Sequence, residues 1–142
     1  MNPAELARAC ADAMWREDAA SQGLGMELVA VAPGTATLAM TVTDQMVNGH
    51  GTCHGGFLFT LADSAFAFVC NGYDVRTVAQ HCSITFVSPA KLGDRLIAQA
   101  QERQRAGRSG IYDVSVQRED GAVIAEFRGH SRTIGGPVIA SD

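Results

Sequence analysis

At 142 residues, 46% apolar and 18% charged, the chain has the size and composition of one folded domain, able to bury roughly 68% of the surface its unfolded form exposes, which excludes a disordered or collagen-like protein. A net charge of -4 argues against a nucleic-acid binder, whose affinity comes from a clustered basic face. The cysteines Cys10, Cys53, Cys70 and Cys82 form no CxxC pair, which argues against a disulfide-stapled scaffold and for free thiols in a reducing compartment.

Residues 3–20 predict an amphipathic helix, with Leu6, Cys10, Ala13 and Met14 on one stripe and Pro3 in its first turn. Arg8, Asp12, Arg16, Glu17 and Asp18 interrupt any apolar signal-peptide core there. The apolar run Phe57 to Val69 is too short to span a bilayer, so a cytoplasmic protein without membrane or nucleic-acid partners is expected. Met26 to Ala32 and Thr35 to Val42 then form a hairpin across Pro33-Gly34, the second strand alternating Ala36, Leu38, Met40 and Val42 against Thr35, Thr37, Ala39 and Thr41.

A loop rich in Asn, Gly and His leads to the long apolar segment, read as a central helix over about 55–71 that stops at Asn71-Gly72. It is apolar nearly all round, so it is expected to be covered on most sides. Four more strands are predicted at about 77–87, 95–105, 110–118 and 122–133, the last pair joined at Glu119-Asp-Gly121. In the first of these, period-two counting puts Val78, Gln80, Cys82, Ile84 and Phe86 on one face and Ala79, His81, Ser83, Thr85 and Val87 on the other. This order predicts an α+β fold, a single domain over 1–142 in which an antiparallel sheet curls around one long central helix, with an extra N-terminal helix and a C-terminal tail over 134–142. A partner subunit is expected over the rest of the helix.

Asp63 is the only charge between Phe57 and Tyr73. A carboxylate in an apolar segment costs folding energy unless something pairs with it or uses it. If the helix starts just after His54, the N–H groups of Gly55, Gly56 and Phe57 lack internal partners and form an anion site, where one donor to a developing oxyanion is worth about 3 kcal/mol. Gly55-Gly56 as a tight start to the helix, and Asp63 as a structural bridge across a dimer seam, are the plainer alternatives. Asp63 follows Gly55 by eight residues, about 12 Å along the axis, so one subunit cannot easily place both at one carbon. Two antiparallel helices related by a two-fold can.

These residues carry a resemblance: Asn48, then His54-Gly55-Gly56, then Asp63, and later Ile84-Thr85-Phe86 with Ser88-Pro89-Ala-Lys-Leu-Gly93-Asp94. Over about 25–133 the chain closely resembles the hotdog-fold thioesterases, in particular the phenylacetyl-CoA thioesterase (PaaI-like) subfamily. The resemblance implies hydrolysis of an aryl acyl-CoA at sites shared across a dimer, in a homotetramer that is a dimer of dimers, without metal or other cofactor. It implies Asp63 as general base or nucleophile, Gly55 N–H as oxyanion donor, His54 as a support for that end of the site, and Asn48 as orienter of water or carboxylate. Some relatives carry a hydroxyl residue early in the following strand; this chain has Ala79 there, with Thr77 and Ser64 as substitutes.

The remaining candidates are weaker. His50, Cys53 and His54 with Asp63 have some zinc-ligand character, and Cys53 beside His54 some nucleophile character. For the CoA phosphates the first choices are Arg105 and Arg108 around the Gly107 turn, with Arg103, Lys91, Arg128, His130 and Arg132 behind them. A hotdog hydratase or dehydratase using His54 or His81, and a non-catalytic acyl-CoA-binding protein, are the competing functions. No Gly-x-Ser-x-Gly elbow supports a serine hydrolase.

Overall fold

Two caps shape the start of the chain. In the computed structural model, which describes residues 1–140, Asn2 Oδ1 accepts from Glu5 N–H at 2.8 Å and Pro3 occupies the first turn of α1 (Pro3–Glu17). The single helix expected over 3–20 is in fact two, because Asp18 breaks it. Its carboxylate accepts from Ser21 N–H at 2.9 Å and caps a short second helix, α2 (Ala19–Gly23). β1 (Glu27–Ala32) and β2 (Thr35–Thr41) follow, then α3 (Gly55–Cys70), β3 (Thr77–Phe86), β4 (Arg95–Ala106), β5 (Ser109–Arg118) and β6 (Val123–Thr133).

The strands form one antiparallel sheet in the order β1-β2-β4-β5-β6-β3. The α+β architecture with one long helix stands, but the sheet does not curl and close around that helix. It is open, with β1 and β3 at its two ends. The reason is size: eight strands closed into a barrel enclose little more than their own side chains, and a helix with its side chains is about 10–12 Å wide. Six strands therefore supply a floor. Other parts of the chain supply partial cover: Ala11 joins the core from α1, Trp15 meets Phe68 with ring centroids 6.1 Å apart, and Met46 and Cys53 come in from the loop before α3.

What stays open on α3 is a stripe at helical spacing, Gly56, Thr60, Asp63 and Ala67. The helix is thus not enclosed all round within one chain, and its one charge lies on the open side. β3 is similarly uncovered, with Val78 45% and Phe86 52% exposed on an end strand.

A bulge corrects the expected faces of β3. Ala79 pairs with Ser131 and His81 with His130, so Gln80 is an extra residue and the alternation resets there. Ala79 consequently shares the helix-facing side with Cys82, Ile84 and Phe86, whereas His81 joins Val78 on the outer side.

Small residues on the inner face let α3 approach. Gly129 of β6 lies directly beneath Phe66, and a Cβ there would stand 2.7 Å from the Phe66 ring. Phe66 is fixed in turn by Tyr112 and Phe127, at centroid distances of 5.6 and 5.8 Å. Beyond β6 the chain turns back: Asp74 Oδ1 accepts from Val138 N–H and Ile139 N–H, both at 2.9 Å. The last two tail residues, Ser141 and Asp142, lie outside the described residues. Among the described residues no helix is long and apolar enough to cross a membrane.

Because Phe66 is buried and cannot swing away, Gly129→Ala is expected to destabilise the fold by about 2 kcal/mol, read as a lowered denaturation midpoint at unchanged m value.

Candidate active site

The segment before α3 is held by its own backbone. Asn48 N–H donates to Thr52 C=O at 2.9 Å, His54 N–H to Met46 C=O at 2.8 Å, and Cys53 N–H to Ala90 C=O at 2.8 Å. Asn48 Oδ1 accepts from His50 N–H at 2.9 Å and Thr52 N–H at 3.2 Å, an Asx-type closure of the turn. Its carbonyl is therefore spent on the loop, and the Nδ2 amide is what it has left to offer.

This scaffold delivers the chain to His54, the N-cap of α3, whose side chain makes no capping bond and stands exposed. Phe57 N–H bonds His54 C=O at 3.1 Å, so the three first-turn donors expected here reduce to two. Gly55 N–H and Gly56 N–H have no partner among the described residues. Gly55 abuts Phe86, whose ring would lie 2.7 Å from a Cβ at that position, and Gly56 faces open space. Beside them Leu58, Phe86, Val87 and Pro89 help to line a mainly apolar cavity of about 370 Å³.

Asp63 sits on the open stripe, half-buried rather than buried, with no hydrogen-bond partner among the described residues. Burial first, and then the negative charge of Asp18, push its carboxyl above the usual carboxylate range. Its own charge in turn raises the thiols of Cys70 and Cys82, after burial has already done so. Neither proposed hydroxyl substitute is simply free: Thr77 Oγ1 donates to Val75 C=O at 2.8 Å, and Ser64 Oγ is 2.8 Å from Ser21 Oγ.

At the far end of α3, Arg105 and Arg108 help to line one cavity of about 250 Å³ with Cys70, Tyr73, Tyr112 and Thr133. The Arg105 guanidinium stacks 3.6 Å above the Tyr73 ring, and Glu102 accepts from the hydroxyls of both Tyr73 and Tyr112. Arg108 makes no ion pair among the described residues, whereas Arg103 and Arg128 are both committed to Asp113. His50, Cys53, His54 and Asp63 do not converge as a metal ligand set among the described residues.

Comparison with known proteins gives this geometry its context. Residues 50–125 match the model of the thioesterase superfamily. The chain is 44% identical over 128 residues to the acyl-coenzyme A thioesterase PaaI of Escherichia coli, covering 90% of this chain and 91% of that protein. The chain belongs to the thioesterase superfamily. Within it the resemblance is to the hotdog-fold, PaaI-like branch: the structure of the E. coli PaaI protein from the phenylacetic acid degradation operon superimposes with a TM-score of 0.93 at 42% identity, over 94% of this chain and 97% of that one. A point variant of the phenylacetic acid degradation protein PaaI from Thermus thermophilus gives a TM-score of 0.76 at 38% identity, over 79% and 96% of the two chains.

Two features of this thioesterase escaped the sequence. The Glu102 bridge between Tyr73 and Tyr112 joins residues far apart in the chain and left no local signal. Asp18 did leave one, since Asp three residues before Ser is a helix-cap spacing, but only the fold brings it to Asp63.

A carboxyl whose folded-state pKa is raised binds its proton better when folded, so the stability it contributes is full below its ordinary value of 3.8 and is lost as pH rises through the folded value. Asp63→Asn is accordingly expected to raise the thermal midpoint at neutral pH, with the gain disappearing in acid below that ordinary value; thermal melts across pH check it.

Proposed function

We propose that this thioesterase hydrolyses an aryl acyl-CoA, of the phenylacetyl-CoA kind, to the free acid and CoA, in the cytoplasm, at sites shared by two copies of the chain. The observation that carries the reading is the pairing of a helix start bearing two N–H groups with a half-buried carboxylate about 12 Å further along the same helix, all without partners among the described residues. The thioester oxygen accepts from Gly55 N–H. Asp63 of the other subunit, ionised, removes a proton from water or attacks the carbonyl carbon itself, and the tetrahedral intermediate collapses with loss of CoA thiolate, a good leaving group; on the direct route a water then opens the Asp63 anhydride, releasing the acid and restoring the carboxylate. Asn48 contributes its Nδ2 amide as a further donor, and His54 holds the helix start.

The shared site is supported by the exposed end strand β3 and the open stripe of α3, both of which a second copy covers. It is also supported by the arginines. Cys70 at the cavity of Arg105 and Arg108 lies about 22 Å along α3 from Gly55, so with antiparallel helices it is the partner's arginine pair that comes to the Gly55 end and takes the CoA phosphates. The apolar cavity beside Gly55 suits an aromatic acyl group. A pair of such dimers makes the tetramer. The free thiols of all four cysteines fit a reducing compartment.

Thiol release from a panel of acyl-CoAs tests the assignment. Asp63→Asn is expected to lose at least about a hundredfold in turnover while still binding substrate; unchanged turnover removes Asp63 from the mechanism. Gly55→Pro deletes the N–H at a helix position whose backbone tolerates proline; because its Cβ would press on the Phe86 ring, the variant is first shown to fold and dimerise by circular dichroism and sedimentation. Mixing the two inactive variants is expected to restore about a quarter of parental activity, since half the dimers are mixed and each carries one intact site. No recovery, with mixed dimers demonstrated by tagged subunits, refutes the shared site.

A further inference from the structure

Three side chains without a place in the proposed chemistry meet beside Asp63. Ser21 Oγ–H donates to Asp18 Oδ2 at 2.7 Å, and Ser21 Oγ lies 2.8 Å from Ser64 Oγ on α3. A carboxylate can only accept, so the Ser21 proton is committed to Asp18 and Ser64 is the donor in the second bond. The result is a directed chain, Ser64 to Ser21 to Asp18, that starts one residue from Asp63 and passes through a hydroxyl only 1% exposed. Capping of α2 accounts for the bond from Ser21 N–H. It does not account for the buried link onto the middle of α3.

We propose that Asp18 is a positioning residue for the reaction: through Ser21 and Ser64 it pins the α1–α2 corner to α3 and holds a second carboxylate at the turn of the helix that carries Asp63, the base. The proposal rests on Asp63 being that base. Among the described residues of one chain, Asp18 is the carboxylate whose charge acts on Asp63. β2, β4 and β5 present Leu38, Met40, Leu96, Ala98, Val114 and Val116 to the helix, and β6 presents Ala125, Phe127 and Gly129. The other titratable groups coupled to Asp63 are thiols, Cys82 from β3 and Cys70 on α3 itself, and burial pushes both upward, Cys70 to about 12, so they are neutral near pH 7. The direction of the shift on Asp63, upward through burial and then Asp18, agrees with this geometry.

The experiment compares Asp18→Asn with Asp12→Asn. Asparagine keeps the cap acceptor, and Asp12, paired with Arg8 on exposed α1, removes the same charge away from the hydroxyl chain. Two readouts are taken: the acid limb of kcat/KM against pH, and the carboxyl midpoint of Asp63 by 13C NMR, assigned through its disappearance in Asp63→Asn. Asp18→Asn is expected to move both to lower pH by on the order of half a unit, because removing a like charge favours the ionised form. Ser21→Ala, which breaks the chain and leaves the charge, is expected to give a smaller shift in the same direction. An unmoved Asp63 midpoint in Asp18→Asn, or an equal shift in Asp12→Asn, overturns the proposal. A midpoint that moves while the acid limb does not confirms the coupling and instead refutes Asp63 as the base.

Discussion

A 16-residue helix, apolar along nearly its whole length with one carboxylate near its middle, has to be kept from water, and a sheet of six strands shields only one side of it. Most other features of the molecule answer that mismatch. The α1–α2 corner packs Ala11 and Trp15 toward the helix, and the loop before α3 adds Met46 and Cys53. What they leave uncovered is the stripe through Gly56, Thr60, Asp63 and Ala67, together with the end strand β3. Incomplete cover is what makes a composite site with a second copy physically reasonable.

The same mismatch shapes the electrostatics. A fully enclosed Asp63 would be neutral, and a fully solvated one would be an ordinary carboxylate. Half-burial on the open stripe, with Asp18 nearby, pushes its pKa upward without sealing it off. At the helix start, close packing has a second use. Gly55 is in contact with Phe86, so the bare backbone that leaves its N–H accessible also lets β3 close against the helix. Gly129 does the same for Phe66 from beneath, and there the constraint is on packing alone.

Much of this was legible in the amino-acid sequence. The alternation in β2, the uninterrupted apolar run of α3 and the turn residues between strands are local signals with a fixed physical meaning, and they mark the elements within a few residues. The spacing of Asn48, His54-Gly55-Gly56 and Asp63 pointed to the family to which the chain belongs. Arg105 and Arg108, grouped by the Gly107 turn, do share a cavity. The failures are equally specific. The bulge at Gln80 moved Ala79 to the helix-facing side, because simple alternation cannot register an inserted residue. Asp18 divided the N-terminal helix, because its carboxylate competes with the helical backbone.

By itself, then, the sequence determined the six strands and the central helix, their order, the family, and the lone carboxylate on that helix after a glycine start, since each depends on neighbours along the chain. Only the tertiary structure decided that the sheet stays open, that Asn48 spends its carbonyl on its own loop, that Phe57 N–H is not a free donor, and that Asp18 reaches α3 through Ser21 and Ser64. These depend on how much space six strands enclose and on which side chains meet across it, and contacts between residues more than 40 positions apart, such as Ser21 and Ser64, leave no periodic trace in a single sequence.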